Sequence, residues 1–267
     1  MLKKHDIEYN GTSLSSLGFR IADMPKYTIS TRKFEITDVI NRDGGVITDA
    51  GIYDNKEISY NVVSLPHLVA TDTTANLVQL FADWLTDFDG EYKTFKDSYV
   101  DGYFTKAICS GIDEITVNAK KCISARVNFI RCPYWYDDDG QNATIFKLDP
   151  GKTIGIVNIY NPENQPALPL IKINNQNGHI MKMALTVGNE LLTTSYEVKI
   201  VNNISANSII LDSEFQSAFV DKNTLANRYI SCLTFPQLWP GWNKIGITSL
   251  DTNSFSSIEI TPRWRRL

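Results

Sequence analysis

Apolar and polar residues alternate with period two along most of this chain, and that pattern restricts its fold more than any other feature. In "EISYNVV" Ile58, Tyr60 and Val62 oppose Glu57, Ser59 and Asn61. In "ISARVNFI" Ile123, Ala125, Val127 and Phe129 form one face, with Ser124, Arg126 and Asn128 on the other. "IMKMALTV" sets Met181, Met183, Leu185 and Val187 against Lys182, Ala184 and Thr186. Successive side chains on a strand point to opposite faces, so each stretch reads as a strand of an antiparallel sheet with one face buried. The fold class expected is mainly β.

One segment departs from the pattern. "TDTTANLVQLFADWLTDF" places Leu77, Leu80, Phe81, Trp84, Leu85 and Phe88 at helical spacing. This predicts a helix over about 74–88, started by Thr73 or Thr74, stopped by Asp89-Gly90 and packed on a sheet. The alternative use of such a stripe is a groove that binds a partner.

The stretch "RCPYWYDDDGQN", residues 131–142, interrupts the strands with a proline, an aromatic cluster, three acids and a glycine. It divides the chain into an N-terminal domain at 1–134, β-sandwich-like with the helix, a linker at 135–142, and a second domain at 143–260. Short strands with regular Asn, Gly, Pro and Ser punctuation and no helix make the second domain a β-sandwich or jelly roll. A tail, 261–267, follows.

Composition narrows the function classes. With 43% hydrophobic and 21% charged residues in 267, the chain reads as globular rather than disordered. A net charge of −4 gives no support to nucleic acid or anionic membrane as the main partner. No apolar run reaches the roughly 20 residues of a membrane span. "MLKKHDIEYNG" lacks an apolar signal core, so synthesis and folding in a cytoplasm are expected. Cys109, Cys122, Cys132 and Cys232 contain no C-x-x-C pair and read as buried reduced thiols, Cys232 in a core strand.

No motif in the sequence specifies an enzyme. "DPGKT" (149–153) has the end of a phosphate-binding loop, but the required earlier glycine is Phe146 and "IGIVNIY" follows as a strand. His5, His67 and His179 stand alone, without ligand or nucleophile spacing. "DDDG" (137–140) places acids consecutively, whereas calcium loops alternate their ligands. Carboxylate pairs meet only in the fold and cannot be read here. No cofactor and no metal are expected. The tail "PRWRRL" (262–267) surrounds a tryptophan with arginines, a composition that favours docking on its own chain or a neighbour.

"TFPQLWPGWNKI" (234–245) concentrates Trp239 and Trp242 around Pro240-Gly241, a pair suited to the centre of a type II turn. Phe235 and Trp239 are expected inside, with Asn243 bonding across the turn. Sequence leaves Trp242 either inside or on a partner surface.

Several segments together resemble the distal tail proteins of long-tailed bacteriophages. In the first half these are "NRDGG" (Asn41 to Gly45) between strands, Tyr53, the helix with Trp84-Leu85, "GEYKTFKDSYVDGYFTKAI" and the closure at Cys132-Pro133. In the second half they are the corner Phe235, Pro236, Leu238, Pro240, Gly241 and Asn243, and the ending "IEITPRWRRL". The order is kept over nearly the whole chain, without the large insertions that carry carbohydrate-binding modules in some relatives.

The resemblance implies a non-enzymatic hub at the virion tail tip, assembled in the host cytoplasm. A homo-hexameric ring would be built by the N-terminal domains. The major tail tube protein would sit on one face, and the tail-associated spike or lysin on the other. Galectin-like C-terminal sandwiches would hold receptor-binding or side-fibre proteins, with DNA only as a passenger through the channel and no membrane contact. Candidate ring contacts, read from loops flanking strands, are Arg42, Asp43, Gly44, Gly45, Tyr99 and Tyr103. The corner from Phe235 to Asn243 is read as structural. The rival reading is a saccharide-binding sandwich using Trp239, Trp242 and nearby Asn residues; a tail-tip hydrolase is the third.

Overall fold

The computed structural model describes all residues except 1, 3, 65–73, 87–88, 119–121, 148–153, 176–182, 190–194, 202–203, 205, 222–223 and 250–254. The chain is mainly β and forms two compact units, Met1–Trp135 (with Leu267) and Tyr136–Arg266.

The first unit is built on an antiparallel sheet. Its strand order is Thr12–Ser13, Ile7–Tyr9, Lys93–Asp97, Tyr103–Val117, Ile123–Arg131, Lys56–Ser64 and Phe19–Ile21. The registers Ile58↔Phe129, Tyr60↔Val127 and Val62↔Ala125 bring the alternating apolar residues of two sequence-distant strands onto one buried face. The helix Thr74–Leu85 contributes Leu77, Phe81 and Leu85 to the same core, and Phe81 stacks on Phe19 at 4.7 Å between ring centroids. Each such large side chain contributes roughly 1.5–3 kcal/mol when fully buried.

Leu80 does not join this core; it is exposed. It lies about 100° around the helix from Phe81, outside the arc that faces the sheet. The Thr73 cap and Phe88 fall outside the described residues.

A polar cluster sits inside this unit. The Asp97 Oδ2 accepts from the hydroxyls of Tyr27 and Tyr60, each at 2.5 Å, while Oδ1 accepts from the Tyr99 N–H at 2.9 Å. Burial raises the Asp97 pKa above the usual carboxylate range, and those three bonds pull it only part of the way back. Burial, reinforced by the Asp97 charge, likewise pushes up both tyrosines.

The second unit is a sandwich of two antiparallel sheets. One has six strands in the order Thr144–Lys147, Phe255–Thr261, Leu170–Asn175, Ser208–Asp212, Ser217–Val220 and Thr224–Leu225. The other has five: Ile154–Asn161, Gly241–Ser249, Met183–Asn189, Tyr196–Ile200 and Ile230–Ser231. Ile171, Ile173, Ile209, Leu211, Ile258 and Ile260 of the first sheet meet Val157, Leu185, Val187, Val198, Ile245 and Ile247 of the second in one continuous core. This is the alternation seen in the sequence, with both inner faces turned toward each other.

Residues 135–142, expected as a linker, carry ordered structure. Trp135 and Tyr136 are buried in the strand Trp135–Asp137, and a 3-10 turn covers Asp139–Gln141. The tail docks on its own unit. Trp264 enters the sandwich core, Arg265 Nε donates to the Pro166 carbonyl at 2.6 Å, and Asp137 N donates to the Trp264 carbonyl at 3.0 Å. None of the four cysteines forms a disulfide, and all are half-buried rather than fully enclosed; Cys232 follows a short strand and packs against the core edge.

Candidate functional site

The strands Arg32–Thr37 and Val46–Tyr53 pair only with each other, as a ribbon. Among the described residues neither strand joins a third. Ile36 and Ile47 face each other across the ribbon, 60% and 65% exposed, and Phe34 and Ile52 are also in solvent. No ribbon residue belongs to the core cluster. At its base Arg32 pairs with Asp49 and lies over the Tyr53 ring, Lys33 pairs with Asp54 at 2.8 Å, and Tyr53 meets Tyr134 edge-on. The Asp49 carboxylate is held below its usual range, first by the Gly51 N–H and then by Arg32. Exposed ion pairs of this kind contribute little stability. A two-stranded ribbon is marginal in water by itself, and one with open edges and bare isoleucines is suited to pairing with another chain.

Arg42, Asp43, Gly44 and Gly45 form the tip of this ribbon. Asn41 and Gly44 take positive φ, 63° and 77°, and Arg42 N closes onto the Val39 carbonyl. A Cβ on Gly45 would lie 2.3 Å from Cγ2 of Ile36 and 3.2 Å from the Thr37 carbonyl oxygen, so a larger residue there has to displace the Ile36 side chain. Tyr99 and Tyr103 are elsewhere: both are partly buried against the domain core, and Tyr99 bonds to His5. The candidate contacts thus divide into an exposed tip and two packed tyrosines. Phe34, Ile36, Ile47 and Ile52 were missed by the sequence reading. Phe34 and Ile36 alternate with polar neighbours in "KFEIT", whereas Ile47 and Ile52, five apart in "VITDAGIY", fall on opposite faces; alternation in any case does not tell whether a second layer covers an apolar face.

The tryptophan corner is held by amides. Asn243 is buried; its Oδ1 accepts from Trp239 N at 2.9 Å, and its Nδ2 donates to the carbonyls of Trp239 and Gly241 at 2.7 and 3.0 Å. Asn161 Nδ2 donates to the Leu238 carbonyl at 2.8 Å, and Asn189 Nδ2 to the Trp242 carbonyl at 3.0 Å. Gly241 has φ 87°, the positive value a turn needs after Pro240. Pro236 and Leu238 are buried, Phe235 packs on the core, and Trp239 Nε1 donates to the Tyr196 hydroxyl at 3.0 Å. Trp242 alone turns out, 53% exposed.

Among the described residues no group of three or more His, Cys, Asp or Glu is placed to hold a metal. Nor, among them, is any helix long and apolar enough to cross a membrane. His67, His179 and the 149–153 turn lie outside the described residues.

No family model matches this sequence. No curated protein sequence matches it either. The fold does match solved structures. The Dit protein of phage SPP1, described as a paradigm of the hub adsorption apparatus in phages infecting Gram-positive bacteria, aligns with a TM-score of 0.67 at 12% identity. That alignment covers 96% of this chain and 97% of the other. A chain of the phage p2 baseplate in its strontium-activated conformation aligns with a TM-score of 0.51 at 10% identity, over 96% of both chains. The chain therefore has the two-unit β fold of these proteins over nearly its full length.

Proposed function

We propose that this chain is a structural hub of a phage tail tip, in which copies associate through the Arg32–Tyr53 ribbon to close a ring, with six subunits the expected number. The observation that carries this reading is the ribbon itself, two open-edged strands with Ile36 and Ile47 bare to solvent. An exposed apolar ribbon adds to another chain at lower cost than it stays in water. A head-to-tail contact of one patch on a different patch closes into a ring when its rotation permits. The likeness in fold to a hub protein of the phage adsorption apparatus supports the same reading.

In this arrangement the tail tube protein caps one face of the ring and the spike or lysin the other. Receptor-binding or side-fibre proteins attach to the sandwiches, and DNA passes through the opening. The net charge of −4 suits a channel that must not retain DNA.

The test is the mass in solution by light scattering behind a sizing column. Six copies of a 30.1 kDa chain give roughly 180 kDa. A monomer at high concentration, alone and when mixed with purified tail tube protein, overturns the ring.

A further inference from the structure

We propose that the outer face of the five-stranded sheet carries a saccharide subsite, in which a hexopyranose ring stacks on Trp242 over a notch left by Gly188. Three rows of the sheet build it. Tyr160 lies opposite Trp242, and their rings meet at 61° with centroids 5.2 Å apart. On the next outward row Asn158 lies opposite Lys244, and Lys244 opposite Gly188. On the following row Gly246 lies opposite Thr186. The neighbours in sequence, Val157, Ile159, Val187 and Ile245, are buried in the core, so these residues share the opposite, outward face.

A half-open hollow of about 670 Å³ lies here, lined by Asn158, Gly188, Asn189, Trp242, Asn243 and Lys244, with Gly188 offering no side chain to it. The Asn158 amide and the Lys244 ammonium make no side-chain hydrogen bond or ion pair among the described residues. Two polar groups therefore stand free beside two aromatic rings, Trp242 at 53% and Tyr160 at 52% exposure.

That combination matches the chemistry of a sugar. A pyranose has an apolar C–H face, which stacks on an indole, and a rim of hydroxyls. The Asn158 amide both donates and accepts, as a pair of adjacent hydroxyls requires, and Lys244 donates to a third oxygen. One cation in an acidic chain is a poor footprint for a nucleic acid. The shallow, half-open face and the few polar contacts fit a single sugar unit bound at about millimolar Kd, with affinity for a polymer rising through repeated engagement across copies.

The notch supplies a test that leaves the fold intact. A Cβ at Gly188 would meet nothing closer than the Ser195 Cβ at 4.0 Å, so the position accepts a side chain at its root, and Gly188→Val places methyl groups in the notch where the sugar ring would lie. Trp242→Ala removes the stacking surface from an exposed position. Saturation-transfer NMR on the full-length protein is run with the methyl glycosides of glucose, galactose, N-acetylglucosamine and rhamnose. The expected result is transfer to one ring face of at least one sugar, lost in both variants while their thermal unfolding matches the parent protein. Absence of transfer to all four sugars overturns the proposal, as does equal transfer to the parent and both variants. Ring mass is read separately: neither substitution touches the ribbon, so failure here leaves the hub reading standing and failure there leaves this one standing.

Discussion

Arg263 donates from both terminal nitrogens to Asp212, Nη1 to Oδ1 at 2.7 Å and Nη2 to Oδ2 at 3.0 Å. The pair spans 51 residues of sequence and is largely buried, with the Asp212 Oδ1 also accepting from the N–H groups of Glu214 and Phe215. It fixes the tail at the point where Trp264 enters the sandwich core. Removing one partner of such a pair leaves a charge without compensation. Arg263→Ala is expected to lower the stability of the second unit by roughly 3 kcal/mol, read as an earlier transition in urea.

The same pair sets an acid limit. Burial by itself raises the Asp212 pKa, but the Arg263 bonds and charge, with the two backbone bonds, outweigh it and leave the pKa below the usual value. A carboxylate lowered in the fold contributes stability that is present above its unfolded pKa, about 3.9, and is lost as pH falls through the folded value. The unfolding midpoint of the second unit should therefore decline below about pH 4, and less steeply in Arg263→Ala, where this contribution is already gone. Parallel pH profiles of parent and variant would expose a wrong assignment.

Asn243 has no tolerance for truncation. It is 1% exposed and makes three bonds that hold the backbone of the corner. Asn243→Ala should cost roughly 1–3 kcal/mol, because the Trp239 N–H and the Gly241 carbonyl lose this partner and the Trp239 carbonyl keeps only the longer Asn189 bond at 3.5 Å. Asn243→Asp should also destabilise, because an acid keeps the acceptor but turns a negative oxygen toward the carbonyls of Trp239 and Gly241. An unfolding midpoint equal to the parent in either variant would show that the turn holds without these bonds.

Two glycines should respond differently to alanine. A Cβ on Gly140 would lie 2.7 Å from the backbone nitrogen of Trp264, whereas one on Gly188 meets only Ser195 at 4.0 Å. Gly140→Ala is expected to lose about 1–3 kcal/mol through overpacking, and Gly188→Ala to stay within about 0.5 kcal/mol of the parent. Thermal melts of the two proteins side by side decide it.

Charges on the ribbon should separate assembly from folding. Ile36→Asp with Ile47→Asp places two like charges opposite each other on an exposed surface that contributes nothing to the core. The expected outcome is a light-scattering mass near that of one 30.1 kDa chain, with the far-UV spectrum unchanged. A ring that survives both substitutions would move the subunit contact away from the ribbon.

The sequence by itself determined the strands, the Thr74–Leu85 helix and the sandwich, because period two and period 3.6 are local properties of the backbone. Ile58, Tyr60, Val62 and Val127 could be assigned to a buried face before any partner strand was known. Turn chemistry was equally local, as at Pro240-Gly241. What the tertiary structure decided is which apolar faces find a second layer. The alternation of Phe34 and Ile36 looks like that of Ile58 and Tyr60, yet one pair is bare and the other buried. Trp242 was undecidable for the same reason: its outward side depends on the pairing of Tyr160 with Trp242 and of Lys244 with Gly188, contacts between strands far apart in the chain. Burial is a property of the assembled layers, and hydrophobicity along a chain sets which residues need cover without stating what supplies it.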